Sequence, residues 1–303
     1  FDPTLILGFC VLVALSIYVF LTDWQWSMLM DDIAYKRWMP TDNSPLQKSL
    51  LQINTSISDE GRFFPLKYLT NVLRFRILPT NPWAHHVLNL GLFFVIVWGY
   101  ASALKSELKI SGRNCFLPLL AVAASQRPLL DIISFISIGE SVLAFFLALT
   151  LYAIRIPLLS IFFAICCALS KESGTVVLFA LSVYFFLNWI VRRDKSKIIF
   201  AALSLVIFIC YSFFLNRLRS SGAYFSGGRY QLLTLQTLRH FIELSLKCSL
   251  PLAVLGPVFI SNKNFDSLKK VILSPLTAFE VAFFVPYVLL VSGFGASGYF
   301  AIP

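Results

Sequence analysis

Two adjacent carboxylates, Asp31 and Asp32, lie in the stretch "SMLMDDIAYKRW", shortly after an apolar run that ends near residue 22. The chain has only 15 acidic residues among 303, so an adjacent pair is unusual here. A carboxylate at a membrane surface can act as a general base or bind a divalent metal such as Mg²⁺ or Mn²⁺. The alternative is a solvated helix cap or turn. Asp31 and Asp32 are therefore the candidate catalytic residues and the one predicted place for a metal; no other cofactor is expected.

Basic side chains elsewhere are suited to binding a phosphate. In "GRFFPLKYLTNVL", Arg62 can bind a phosphate bidentately and Lys67 can act as a point charge, although both could also extend to lipid headgroups. In "CALSKESGTVV", Lys171 and Glu172 separate two apolar runs with almost no loop between them. Ser and Gly would suffice for a turn, so we expect this charged pair to face a cavity, with Lys171 on the phosphate. The alternative for the pair is a structural ion pair.

Other polar residues interrupt apolar stretches, where an ionisable group is a functional candidate by default. His86 and Asn89 share one helical face, which fits a packed polar pair between helices as well as a cavity wall. Arg127, Asp131 and Glu140 lie in "QRPLLDIISFISIGES", between two short apolar runs. The spacing of Arg127 and Asp131 also fits a structural ion pair on one helix.

The composition indicates a membrane protein without a nucleic-acid partner. Hydrophobic residues make up 58% of the chain and charged residues 13%, whereas soluble domains average about 45–50% and about 25%. The mean hydropathy is +0.78. Most Lys and Arg behind the net charge of +10 lie in short loops, where they orient helices and meet anionic lipid headgroups. The six cysteines lie in apolar runs and are expected to be small buried hydrophobes.

The apolar runs predict an all-α polytopic membrane protein with about nine transmembrane helices, because period-2 alternation is absent. The predicted spans lie near residues 4–22, 83–104, 114–125, 139–154, 156–170, 174–191, 198–216, 238–260 and 271–291. We expect residues 1–303 to form a single transmembrane domain. Because the chain begins with Phe1 and stops just after an apolar run, we expect truncation at both ends.

Loop charge predicts the orientation in the membrane. The short basic loops at 105–114, 192–197 and 261–270 are expected inside. The long segment 23–82 then becomes the first outer loop, and its apolar residues at helical spacing predict amphipathic helices in the membrane interface. Asp31 and Asp32 lie in this loop and should face outward.

Three stretches follow one another in a familiar order: "GRFFPLKYLTNVLRFRILPTNPWAHHVLNLGLF", "LPLLAVAASQRPLLDIISFISIGESVLAFFLALTLY" and "CALSKESGTVVLFALSVYFF". Together they resemble the GT-C superfamily of polytopic glycosyltransferases, particularly the protein O-mannosyltransferase-like enzymes and their bacterial relatives. The likeness spans most of residues 20–190. It implies a first-loop Asp, here Asp31 or Asp32, as catalytic base or metal ligand. It also implies a cavity lined by Arg62, Lys171 and Glu172.

The chain departs from that pattern in several places. It has "SQRP" where the family often has His-Pro, and Gly139-Glu140 where the family has Gly-Arg. The final "SGYFAIP" lacks the Arg of many relatives. A donor-phosphate contact therefore differs, and the candidate substitutes are Arg217, Arg219 and Arg229 in "RLRSSGAYFSGGRY".

The resemblance implies an inverting glycosyltransferase that uses a polyprenyl-phosphate-linked sugar as donor. Its acceptor would be a hydroxyl of a glycan, lipid or protein at the outer face of the membrane. We expect a bacterial inner membrane with the active site facing the periplasm; the alternative is the ER membrane with a lumenal site. The competing function is a transporter, flippase or polymerase for lipid-linked glycans.

Overall fold

The computed structural model describes residues 45–55, 57–58, 62–78, 139–221 and 274–283, with single positions between 6 and 17 and between 84 and 102. The regular structure in these ranges is entirely helical and contains no strand, which confirms the all-α class for this part of the chain. The helices are α1 (Pro45–Thr55), α2 (Pro65–Ile77), α3 (Gly139–Tyr152), α4 (Pro157–Ser170), α5 (Thr175–Arg192) and α6 (Ser196–Ser221). A single 3₁₀ turn, Glu172–Gly174, precedes α5.

Within the described residues, two helical stretches are long and apolar enough to cross a membrane. They are Glu172–Arg192, with 21 residues, and Ser196–Leu218, with 23 residues. At about 1.5 Å per residue each covers the roughly 30 Å of a hydrocarbon core. Helices α3 and α4 have 14 residues each, or about 21 Å. These four helices correspond to the predicted spans near 139–154, 156–170, 174–191 and 198–216.

The remaining predicted spans are described only in part. The described positions between 6 and 17 and between 84 and 102 are helical, as are residues 275–283. The predicted spans at 114–125 and 238–260 lie outside the described residues, as do residues 23–44 of the predicted outer loop. A total of nine spans therefore stays a prediction.

The chain divides into two compact units. The first comprises Phe1–Asn54 and Phe64–Lys171, and the second comprises Thr55–Phe63 and Glu172–Pro303. The chain passes from the first unit to the second between Lys171 and Glu172, inside the tight turn where the sequence has a charged pair. Each unit has its own hairpin of apolar helices.

In the first unit, α3 and α4 form an antiparallel hairpin. The Ser160 hydroxyl donates to the Thr150 carbonyl at 3.2 Å near the turn, and the Cys167 thiol lies 3.7 Å from the Leu143 carbonyl farther along. Helix α2 packs against both members of the hairpin. Small and weakly polar side chains thus let the two apolar helices lie close together.

Gly99, in the helical stretch between residues 84 and 102, makes a close backbone approach to α3. A Cβ atom built on Gly99 would lie 2.9 Å from the Ala148 carbonyl oxygen and 3.0 Å from the Ala148 Cβ. Small residues at such contacts allow helices to pack through their backbones. Among the described residues, nothing lies within 4 Å of the corresponding point on Gly91, which is on the same stretch.

In the second unit, α5 and α6 form a longer hairpin. Ring pairs link the two helices at Phe185–Phe200, with centroids 6.0 Å apart, and at Phe179–Phe208, with centroids 5.5 Å apart. Helix α5 is largely buried, whereas α6 exposes many large apolar side chains: Ile199, Leu203, Leu205, Val206, Ile209 and Phe213. Hydrocarbon contact would cover that exposed face.

The glycine contact predicts opposite outcomes for two matched substitutions. Gly99→Ala should destabilise the protein by about 1–3 kcal/mol, because the new methyl group meets backbone atoms that cannot turn away. Gly91→Ala should be neutral or stabilising by up to about 1 kcal/mol, because alanine favours the helix and its methyl group meets none of the described residues. Thermal unfolding of both variants in one detergent measures the difference. Equal stabilities would contradict the Gly99–Ala148 contact.

Candidate functional site

Arg62 and Glu172 form an ion pair within the second unit. The Arg62 Nε and the Glu172 Oε1 are 3.5 Å apart, and the two side chains are 15% and 11% exposed. Arg62 lies in the irregular segment just before α2, and Glu172 begins the 3₁₀ turn that leads into α5. Two motifs that are far apart in the sequence therefore supply one charge pair. Sequence reasoning expected both residues at a cavity but did not pair them with each other.

The pair is held by charge rather than by a short hydrogen bond. A charge-assisted N–H···O bond is typically about 2.7–2.9 Å long, so a separation of 3.5 Å is Coulombic contact. The Nε and Oε1 atoms are both shielded from solvent. A buried guanidinium and carboxylate each carry a desolvation cost that the other offsets, and removal of either leaves an uncompensated charge.

Tyr211 and Phe214 of α6 support the segment that carries Arg62. The Tyr211 hydroxyl lies 3.4 Å from the Phe63 carbonyl, a long hydrogen bond, and the Phe63 ring packs edge-on against Phe214 with centroids 5.5 Å apart. Sequence reasoning missed Tyr211, which lies inside an apolar run. The antiparallel pairing of α5 with α6 would have placed it near the level of Glu172.

Lys171 directly follows α4. Its backbone is extended, with φ −161° and ψ 151°, and its N–H donates to the Cys167 carbonyl at 3.3 Å. The side chain is half-buried. Lys171 ends the first unit whereas Glu172 begins the second, and the carboxylate of Glu172 is paired with Arg62. The proposed contact between Lys171 and a phosphate stays a prediction.

Lys67 lies in the first turn of α2 and is also half-buried. Its ammonium group stands 5.9 Å from the centre of the Phe64 ring and 6.0 Å from that of Tyr68. Cation–π contacts of this kind are worth about 0.5–1 kcal/mol at exposed sites and more when desolvated. Lys67 therefore has an evident local structural role on α2, alongside the phosphate contact that the sequence suggests.

A second polar cluster, in the first unit, joins α2 to the helical stretch around Asn89. The Arg74 guanidinium donates to the Asn89 side-chain oxygen and to the His85 carbonyl, the latter at 3.4 Å. Arg74, His85 and Asn89 are all buried. A simple amphipathic α2 would direct its cations toward water. Arg76 is exposed in this way, but Arg74 is buried. Little in the sequence indicates which arginine is buried, because positions 74 and 76 are both arginine on the same helix.

Several predicted site residues fall outside the described part of the chain: Asp31, Asp32, His86, Arg127, Asp131 and Arg229. Glu140 lies in the first turn of α3, but its side chain is not among those described. No three His, Cys, Asp or Glu side chains gather to bind a metal within the described ranges. The predicted metal site at Asp31 or Asp32 is not covered by that finding.

No protein-family model matches the sequence, and comparisons with curated proteins and with solved structures also give no match. The likeness to GT-C glycosyltransferases therefore depends on the short motifs themselves. Among these, the first and the third contribute Arg62 and Glu172 to the ion pair.

The buried pair predicts strong coupling between its members. Arg62→Ala and Glu172→Ala should each lower the free energy of unfolding by about 3–5 kcal/mol, the typical cost of leaving one buried charge unpaired. The double variant should recover part of that loss, because neither charge then remains. Thermal unfolding of the four proteins gives the coupling energy.

The matched control is the pair of Asp194 and Lys197 in the turn between α5 and α6, which is more exposed than the Arg62–Glu172 pair. The Asp194 Oδ2 and Lys197 Nζ atoms are 3.8 Å apart. Lys197→Ala should cost at most about 1 kcal/mol, as is usual for a surface pair. Additive losses in the Arg62–Glu172 cycle would show that the two charges do not depend on each other.

Proposed function

We propose that the protein is a GT-C-type membrane glycosyltransferase that moves a sugar from a polyprenyl-phosphate-linked donor to an acceptor hydroxyl. The observation that carries this proposal is the ion pair between Arg62 and Glu172. These residues come from two separate motifs of the resemblance, and both are expected at the donor cavity. The Arg62 Nε and Glu172 Oε1 atoms lie 3.5 Å apart. A guanidinium held in a largely buried place suits recognition of a phosphate at the headgroup level.

The proposed reaction is a single displacement at the anomeric carbon. The acceptor oxygen forms a bond to that carbon as its bond to the phosphate oxygen breaks, so the configuration inverts and polyprenyl phosphate leaves. Asp31 or Asp32 takes the proton of the acceptor hydroxyl as general base. Negative charge grows on the leaving phosphate, and the Arg62 guanidinium stabilises it in the transition state. Lys171 is a separate candidate for a phosphate contact. A divalent metal at the Asp pair would add to that stabilisation.

Glu172 has a positioning role in this scheme. Its carboxylate faces the Nε edge of Arg62, and a guanidinium carries further N–H donors on its Nη atoms. Arg62 can thus be oriented by Glu172 on one edge while it binds an anion through another. The Phe63 contacts with Tyr211 and Phe214 limit the movement of the segment that bears it.

The proposal places the protein in a bacterial inner membrane, with several spans and a periplasmic site; a lumenal site in the ER is the alternative. The charge of the 192–197 turn predicts that this turn is cytoplasmic and that Asp31 is outside. A cysteine replacing Asp31 should therefore react with an impermeant reagent in intact cells, and one replacing Lys195 should react only after lysis. The reverse labelling pattern would contradict the orientation.

The carboxylate pair is expected to be essential for transfer. Asp31→Asn or Asp32→Asn should lower turnover by about 10²–10⁴-fold, the usual contribution of a general base. One substitution should matter far more than the other, because a single base suffices. The measurement is product formation by variants that elute and melt like the parent protein. Near-normal turnover in both single variants would remove the pair from the mechanism.

The function itself is tested by incubating the purified protein with defined polyprenyl-phosphate sugars and candidate acceptors. Mass spectrometry should detect a glycosylated acceptor together with free polyprenyl phosphate. Movement of the intact lipid-linked sugar between leaflets of a vesicle, without cleavage, would favour a flippase instead. Comparing lipid-linked and surface glycans in cells with and without the protein then identifies the natural acceptor.

A further inference from the structure

The turn between α5 and α6 presents an exposed group of cations. Arg192, Arg193 and Lys195 are all exposed. The only acid in the turn, Asp194, accepts hydrogen bonds from the Ser196 hydroxyl at 2.6 Å and from the Ser196 backbone N–H at 3.1 Å. The Asp194 carboxylate therefore faces the start of α6 and is engaged there.

Lys197 is turned toward the protein. Its ammonium group lies 3.8 Å from the Asp194 carboxylate and 5.9 Å from the centre of the Phe200 ring. The hydrogen bond from the Ser196 hydroxyl lowers the pKa of Asp194, so this acid stays ionised and balances Lys197. The positive charge that faces outward consequently comes from Arg192, Arg193 and Lys195.

Arg193 has a backbone conformation that glycine would adopt more easily. Its φ is +57°, the only positive φ of a non-glycine residue among those described, and it caps the C-terminus of α5. Glycine usually fills this position, because a Cβ crowds the backbone in the left-handed region. A strained residue that persists in an exposed turn points to a function for its side chain.

Large apolar side chains flank the turn on both helices. Ile190 and Val191 are exposed at the end of α5, and Ile199 is exposed at the beginning of α6. A cationic tip between exposed apolar side chains matches the boundary between headgroups and hydrocarbon in a bilayer. Basic residues at an anionic leaflet gain electrostatic attraction within about a Debye length of the surface.

We propose that the 192–197 turn is a docking site for anionic phospholipids, with the Arg193 and Lys195 side chains binding the headgroup phosphates. Charge complementarity selects the lipid class, and the internally balanced Asp194 and Lys197 fix the shape of the turn. The inference requires only that α5 and α6 lie in a bilayer. It does not depend on glycosyl transfer, so a failure of either proposal leaves the other intact.

The test uses the full chain in nanodiscs of phosphatidylcholine with increasing fractions of phosphatidylglycerol. A lipid that binds the folded state raises Tm, so the midpoint of the Tm increase gives the apparent affinity for the anionic lipid. Arg193→Gly should raise Tm in pure phosphatidylcholine, because it relieves the left-handed strain. The same variant should bind phosphatidylglycerol about fivefold more weakly, the loss that corresponds to one basic residue at a membrane surface.

Two matched variants separate charge from conformation. Lys195→Gln should also weaken phosphatidylglycerol binding about fivefold, without the gain in Tm. Arg193→Lys keeps both the charge and the strained backbone, so it should behave like the parent protein. Added salt should reduce the lipid effect in the parent protein.

Three results would overturn the proposal. The first is an unchanged lipid affinity in both Arg193→Gly and Lys195→Gln. The second is a loss in Arg193→Gly that Arg193→Lys reproduces, which would assign the effect to packing rather than charge. The third is an equal rise in Tm from inorganic phosphate at the same ionic strength in pure phosphatidylcholine, which would identify a site for free anions.

Discussion

A guanidinium among apolar helices must find acceptors inside the protein, and this constraint organises the polar residues of the chain. Arg62 and Arg74 meet it differently. Arg62 is paired with the Glu172 carboxylate, so its charge is balanced. Arg74 donates to the Asn89 side chain and to the His85 carbonyl, both of which are neutral acceptors. In both cases the acceptor lies on a different segment of the chain, so each arginine connects two segments within its own unit.

The difference bears on what each arginine can do. A guanidinium surrounded by neutral acceptors attracts an anion more strongly but costs more to bury. One that is paired with a carboxylate is less costly to bury, and its orientation is set before any ligand arrives. Recognition of a leaving phosphate benefits from preorganised donors, because no reorganisation is then needed as charge develops. The Arg62–Glu172 pair is preorganised in this way, whereas the Arg74 cluster connects α2 to the helical stretch around Asn89.

The sequence predicted the helices well where hydrophobic length decides the structure. The apolar runs at 139–154, 156–170, 174–191 and 198–216 each form a helix. The breaks between these helices fall at residues 153–156, at Lys171 and at the 193–195 turn. Partners of polar side chains could not be predicted in the same way. Residue type cannot distinguish buried Arg74 from exposed Arg76, because burial depends on which neighbouring helix packs against α2. The same limit applies to Tyr211, whose contact with Phe63 spans 148 positions.

The length of the α5–α6 hairpin separates two polar features of the second unit, the Arg62–Glu172 pair and the basic turn. Of the two described stretches that can span a membrane, one begins at Glu172 and ends at Arg192 after 21 residues. At about 1.5 Å per residue these residues stand about 30 Å apart, the thickness of a hydrocarbon core. Tyr211 lies near the Glu172 end because α6 returns antiparallel to α5, while Arg193 and Lys195 lie at the other end. If the hairpin crosses a bilayer, the Arg62–Glu172 pair and the basic turn must therefore face opposite sides. A rule that assigns the basic turn to the cytoplasmic surface then assigns the ion pair to the outer one through helix length alone, without reference to Asp31, Asp32 or any resemblance to a family.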